Sequence, residues 1–128
     1  MNRLTLPLVT AVALGGAIGS VARYAVGVWL ARAGGTFPVA TLLINVTGSF
    51  LIGLFARLFE APDANPVLRA ALTVGLCGGF TTFSTFSAET IALLQQGRAA
   101  RAAVYVTVSI VAGVLATFAG LLLGRTAR

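Results

Sequence analysis

The stretch Gly75-Leu76-Cys77-Gly78-Gly79-Phe80-Thr81-Thr82-Phe83-Ser84-Thr85-Phe86-Ser87 sets three glycines and then five hydroxyls inside an otherwise apolar run. That run, Ala70–Leu94, exceeds the ~20 residues a helix needs to cross a bilayer, and its only charge is Glu89. Gly, Ser and Thr at this density weaken a helix, because their backbone and side-chain options compete with the hydrogen-bond ladder. A span broken at membrane depth survives only where protein or a water-filled cavity satisfies the freed backbone groups. Discontinuous spans are also where transporters and channels hold ions. The stretch therefore predicts a membrane helix broken mid-span, with an ion or solute pathway at the break.

Three further spans surround it. Leu6–Leu30 is interrupted only by Arg23, while Val39–Ala56 and Ala102–Gly124 carry no charge. The joints are short and polar, and Asn65-Pro66 reads as the cap and first position opening the third helix. Met1-Asn2-Arg3 before an apolar run resembles a signal peptide. The run is too long for a typical h-region and three spans follow it, so a retained first helix is expected. The expectation is a single all-α membrane domain over residues 1–128, with helices at about 6–30, 39–56, 70–94 and 102–124.

Composition agrees. The 128 residues are 58% apolar and 9% charged, with a mean hydropathy of +0.97, whereas soluble domains carry about 25% charged residues. The net charge of +6 comes from nine arginines against Glu60, Asp63 and Glu89. In a soluble chain such basicity would suggest nucleic acid; here the arginines flank apolar runs and anchor helices to headgroups. With no His, one Cys and scattered carboxylates, neither a soft-metal site nor a Ser-His-Asp or Cys-His constellation can be assembled, so no enzyme is expected. No Walker-type loop is present either.

Four spans place both termini on one side with Arg3, Arg57, Arg69, Arg125 and Arg128, against Arg32, Arg98 and Arg101 on the other. Five against three is a weak bias under the positive-inside rule. It fits a termini-inside protein, and equally one inserted both ways and paired antiparallel.

Membrane helices associate through small residues and interhelical hydrogen bonds. Gly15, Gly19, Arg23 and Gly27 recur at four-residue steps, as do Thr41, Asn45, Ser49 and Gly53, and Tyr105, Ser109, Gly113 and Thr117. Packing accounts for the glycines. Asn45, mid-span, is costly unless its amide finds partners, and serves either as packing glue or as the lining of a polar pathway. Tyr105 is explained as well by interfacial anchoring. Arg23 by default snorkels to the interface; the alternative is an electrostatic role for entering anions. Glu89 is either a proton-coupling site or a carboxylate near the surface, bonded to a neighbouring helix. Hydroxyls, an amide and the ring edges of Phe83 and Phe86 would suit a small anion, while carbonyls freed at the break would suit a cation. Both signs stay open, and the scarcity of acid favours an anion.

Gly78-Gly79-Phe80-Thr81-Thr82-Phe83-Ser84-Thr85-Phe86-Ser87-Ala88-Glu89 closely resembles the signature of the Fluc (CrcB) fluoride channels. So do Gly15-Gly16-Ala17-Ile18-Gly19-Ser20-Val21-Ala22-Arg23-Tyr24 and the segment from Pro38 through Asn45 to Phe50. The resemblance implies an antiparallel, dual-topology homodimer in the cell inner membrane that passively and selectively exports fluoride and protects against its toxicity. It implies Phe83, Phe86 and Asn45 as pore residues, with Thr41, Tyr105, Ser109, Thr82 and Ser84 as polar positions along the pore. Arg23 and Glu89 match charged vestibule positions. A central structural Na+ would be held by the carbonyls of Gly78 and Thr81. The competing class is a proton-coupled exporter of the small multidrug resistance type, which depends on a carboxylate in the first helix; here that helix has none.

Overall fold

The computed structural model describes residues 5–31 and 35–126, and among them every regular element is helical. The elements are α1 (Leu6–Ala31), α2 (Val39–Leu58), α3 (Pro66–Ala70), a π-helical segment (Ala71–Cys77), α4 (Gly78–Phe80), α5 (Phe83–Gln95) and α6 (Ala99–Thr126). α1, α2, the composite third span Pro66–Gln95 and α6 are each long and apolar enough to cross a membrane. Arg3, Arg32 and Arg128 lie outside the described residues, so the five-to-three charge comparison is not carried into the structure.

Local chemistry explains the boundaries. Asn65 caps α3 by accepting from the N–H groups of Val67 and Leu68 at 2.9 and 3.1 Å, with Pro66 in the first turn. The third span thus starts at Pro66 rather than Ala70, because the cap admits Arg69 to the helix. α5 ends in a Schellman arrangement: Arg98 N–H donates to Leu93 O and Gly97 N–H to Leu94 O. Gly97 takes a φ of 71°, which only glycine adopts cheaply. α6 begins at Ala99, earlier than the expected 102, since Ala102 N–H reaches back to Arg98 O.

The helices pair in two couples. α1 packs on the π segment and α4, while α2 packs on α6. Both pairs run parallel, because rising numbers meet rising numbers: Gly15 lies against Ala71 and Gly19 against Phe80, and Ser49, Gly53 and Arg57 of α2 meet Gly113, Thr117 and Gly124 of α6. Between the couples the order reverses, with Asn45 meeting Thr82 and Thr41 meeting Glu89. The four spans therefore alternate in direction.

Close backbone approach, the usual currency of helix association in lipid, is what the glycine stripes provide. A Cβ at Gly19 would strike the carbonyl oxygen of Leu76 and lie 2.8 Å from the Phe80 nitrogen. Both obstacles are backbone and cannot rotate away. At Gly27, in the same stripe, nothing lies within 4 Å. Gly19→Ala is therefore expected to destabilise by about 2 kcal/mol or more, and Gly27→Ala to be neutral or slightly stabilising. Thermal unfolding of the two variants in detergent checks this; equal midpoints would contradict the packing account.

Candidate functional site

The third span comes apart at two residues. Thr81 (φ −78°, ψ 158°) and Thr82 (φ −150°, ψ 112°) are extended, ending α4 and opening α5. Thr82 caps α5: its hydroxyl accepts from Thr85 N–H at 3.2 Å and lies 3.0 Å from the Thr85 hydroxyl and 3.2 Å from that of Ser84. Thr81 folds back on the preceding turn, its N–H and hydroxyl both donating to Cys77 O.

Backbone groups freed at this depth cost several kcal/mol each unless paired. Asn45 of α2 supplies two of the pairings. Its Oδ1 accepts from Thr82 N–H at 2.7 Å and its Nδ2 donates to Thr82 O at 3.0 Å. The amide thus replaces two rungs of the missing ladder. Arg23 of α1 supplies another, its Nε donating to Gly79 O at 3.0 Å. The snorkelling expected of Arg23 gives way to this bond, because a freed carbonyl at the end of α4 attracts a nearby cation. The helical donors for the Gly78 and Thr81 carbonyls would be Thr82 N–H and Thr85 N–H, and both are bonded elsewhere. Neither N–H is therefore committed to the ladder at these two carbonyls.

A cleft of about 660 Å³ opens at the break. Asn45, Ser49, Thr81, Thr82 and Ser109 supply its polar wall, and Phe83 and Phe86 its aromatic one. The Ser109 hydroxyl is buried with no partner. The two phenylalanine rings lie 5.6 Å apart, tilted by 40°, and Phe83 is 79% exposed on the open side. Gly78 also lines this cleft, and nothing comes within 4 Å of where its Cβ would be.

A second polar group adjoins the cleft. Glu89 accepts from the Thr41 hydroxyl at 2.8 Å and from the Tyr105 hydroxyl at 2.6 Å, tying α5 to α2 and α6. Tyr105 is fully buried, flanked by Phe37 edge-on at 5.6 Å and by Phe86 at 5.1 Å. Phe86 therefore touches both the cleft and the carboxylate cluster.

The twelve residues singled out in the sequence fall into distinct places. Asn45, Thr81, Thr82, Phe83, Phe86, Ser109 and Gly78 converge on the cleft. Thr41, Tyr105 and Glu89 form the adjoining cluster. Arg23 stands behind the break, and Ser84 is exposed beside it. Glu89 is bonded to two neighbouring helices, α2 and α6. The sequence did not reveal the π segment, the Asn45–Thr82 pairing or Phe37 beside Tyr105. One signal pointed to the cluster: a lone carboxylate in a span requires donors, and Thr41 and Tyr105 are hydroxyls at the same end of their helices.

Residues 10–121 match the family described as CrcB-like protein, Camphor Resistance (CrcB). The fluoride-specific ion channel FluC of Rhizobium meliloti is 49% identical over 127 residues, covering 98% of each chain. Proteins of the same name from Nitrobacter winogradskyi and Agrobacterium fabrum are 52% and 50% identical, over 91% and 89% of this chain and 94% and 93% of their own.

Proposed function

The chain belongs to the CrcB family, and on that premise we propose that it is a fluoride-selective passive channel exporting fluoride from the cytoplasm. It is a multi-pass membrane protein. The observation that carries the reading is the convergence, at the broken third span, of a partnerless buried hydroxyl, an amide and two aromatic rings on one cleft. Hydroxyl and amide donors replace water around a small dehydrated anion. Ring edges add weak positive potential without fixing the ion as a full charge would. The N-terminus of α5 points its dipole at the same place.

The physiological logic is acid–base chemistry. Neutral HF crosses lipid and dissociates in the less acidic cytoplasm, trapping the anion. A passive pore lets the inside-negative potential drive fluoride out, which requires no ATP and no catalysis.

The working unit we propose is an antiparallel homodimer in the inner membrane. A cleft walled by Asn45, Thr82 and Ser109 cannot face hydrocarbon, and a second copy over Phe83 and Gly78 would close it. The carbonyls of Gly78 and Thr81, whose ladder donors are bonded elsewhere, are hard, uncharged oxygen ligands of the kind that suits Na+. These residues would hold the ion, which would satisfy their free lone pairs and add one positive charge.

A bacterium lacking fluoride export and expressing this chain should grow at fluoride concentrations that arrest the empty vector; no rescue by membrane-inserted protein would contradict the proposal. Glu89→Gln separates the channel from a proton-coupled exporter. The amide keeps an acceptor for Thr41 or Tyr105 but cannot carry a proton through a cycle. Fluoride flux without a pH gradient is expected to stay within about threefold of wild type, a change of under ~1 kcal/mol. Complete loss of flux from folded protein would move the mechanism to coupling at Glu89.

A further inference from the structure

At the other end of the α2–α6 couple, away from the cleft and the Glu89 cluster, a groove of about 270 Å³ is lined by Arg57, Glu60, Arg125, Phe118, Leu121 and Leu122. Arg57 and Arg125 stand in the last turns of α2 and α6. The stem of Arg57 lies flat on Gly124, where a Cβ would come 2.7 and 2.9 Å from its Cβ and Cγ. One guanidinium nitrogen, Nη1, donates to the Glu60 carboxylate. Another, Nε, is buried with no acceptor at all.

Arginines in a last turn often only offset the helix dipole. That role leaves the guanidinium in water and does not explain a buried N–H without a partner, which costs free energy until an acceptor arrives. Arg57 itself lines the groove, so a turn of its guanidinium brings an acceptor seated there within reach. Two cations against one carboxylate leave it net positive. Below them Phe118 and Leu122, 58% and 42% exposed, continue the groove down α6 for about 10 Å, at 1.5 Å per residue. Charge at the membrane end and an apolar wall running into the span match an anionic headgroup with its acyl chain.

We propose that the Arg57–Arg125 groove is a binding site for an anionic phospholipid, whose phosphate accepts from the guanidinium groups of Arg57 and Arg125 while an acyl chain lies on Phe118 and Leu122. Glu60 competes with the phosphate for Arg57. The apolar wall selects a lipid over free phosphate.

The test is native mass spectrometry of the full chain in detergent, titrated with phosphatidylglycerol or with phosphatidylcholine of the same acyl chains. Wild-type protein is expected to retain phosphatidylglycerol about tenfold more tightly than phosphatidylcholine. R57Q with R125Q should weaken that retention roughly 25-fold, about fivefold per arginine. E60Q should strengthen it, the opposite of what loss of a purely structural ion pair would do. Should the double variant fail to fold, R125Q alone and E60Q decide the matter, since Arg125 is exposed. Equal retention of both lipids, unchanged retention in R125Q and E60Q, or displacement of the lipid by millimolar inorganic phosphate would each overturn the site.

Discussion

Replacing Phe83 and Phe86 together with isoleucine is expected to cut fluoride flux about 10- to 100-fold while leaving the fold in place. Isoleucine keeps most of the apolar volume but has no quadrupole to present a positive edge to the anion. If each ring contributes ~1 kcal/mol or somewhat more to the ion at the narrowest part of its path, tenfold per ~1.4 kcal/mol sets that range. The fold of the single chain should change little, because Phe83 is 79% exposed on it. Phe86 exchanges its ring contacts with Tyr105 at 5.1 Å and Phe83 at 5.6 Å for aliphatic packing on the same Leu93–Tyr105 cluster. Efflux from liposomes, beside gel filtration of the same preparation, separates conduction from folding. Wild-type flux from the double variant would remove the rings from the mechanism.

Asn45 carries the largest expected effect on stability. In Asn45→Leu both Thr82 N–H and Thr82 O lose their partners at membrane depth, where each unsatisfied group costs several kcal/mol. A loss of about 4 kcal/mol or more is expected, read as failure to purify or as a sharply lowered unfolding midpoint. Asn45→Asp divides the two roles of the residue. A carboxylate still accepts from Thr82 N–H but repels Thr82 O and sets a negative charge on the wall of the cleft. It should fold better than the leucine variant and conduct fluoride at less than about a tenth of the wild-type rate. A stable Asn45→Leu protein would show that other groups hold the break; normal flux in Asn45→Asp would place the anion path elsewhere.

Much of this arrangement was legible in the sequence, for physical reasons that differ by element. The four spans follow from apolar length, and Asn65-Pro66 marked the start of the third. Clustered Gly, Thr and Ser announced its break, because those side chains offer the backbone bonds that a ladder would otherwise take. What the sequence could not carry was pairing at a distance. Asn45 was recognisable as a costly amide in need of partners, yet nothing near it in the chain indicates that both are the backbone of Thr82, 37 positions away. Arg23 looked like an interfacial cation because its partner, Gly79 O, exists as a free acceptor only once the break has formed. The π segment left no trace, since Ala71–Cys77 is ordinary helix-compatible composition. Its wider turn places Gly75 on Val12 and Gly15, a packing fit visible only in three dimensions. Glu89 shows the reverse: its isolation in the sequence required hydroxyl donors, and Thr41 and Tyr105 provide them.

In the proposed channel the cleft at the broken span conducts fluoride passively and excludes larger anions. The direct measurement is efflux from liposomes holding the purified chain, followed with a fluoride electrode beside a chloride control, with a K+ shunt and no pH gradient. Rapid fluoride release without chloride release is expected. Release that begins only when a proton gradient is applied, or release of both halides alike, would contradict it.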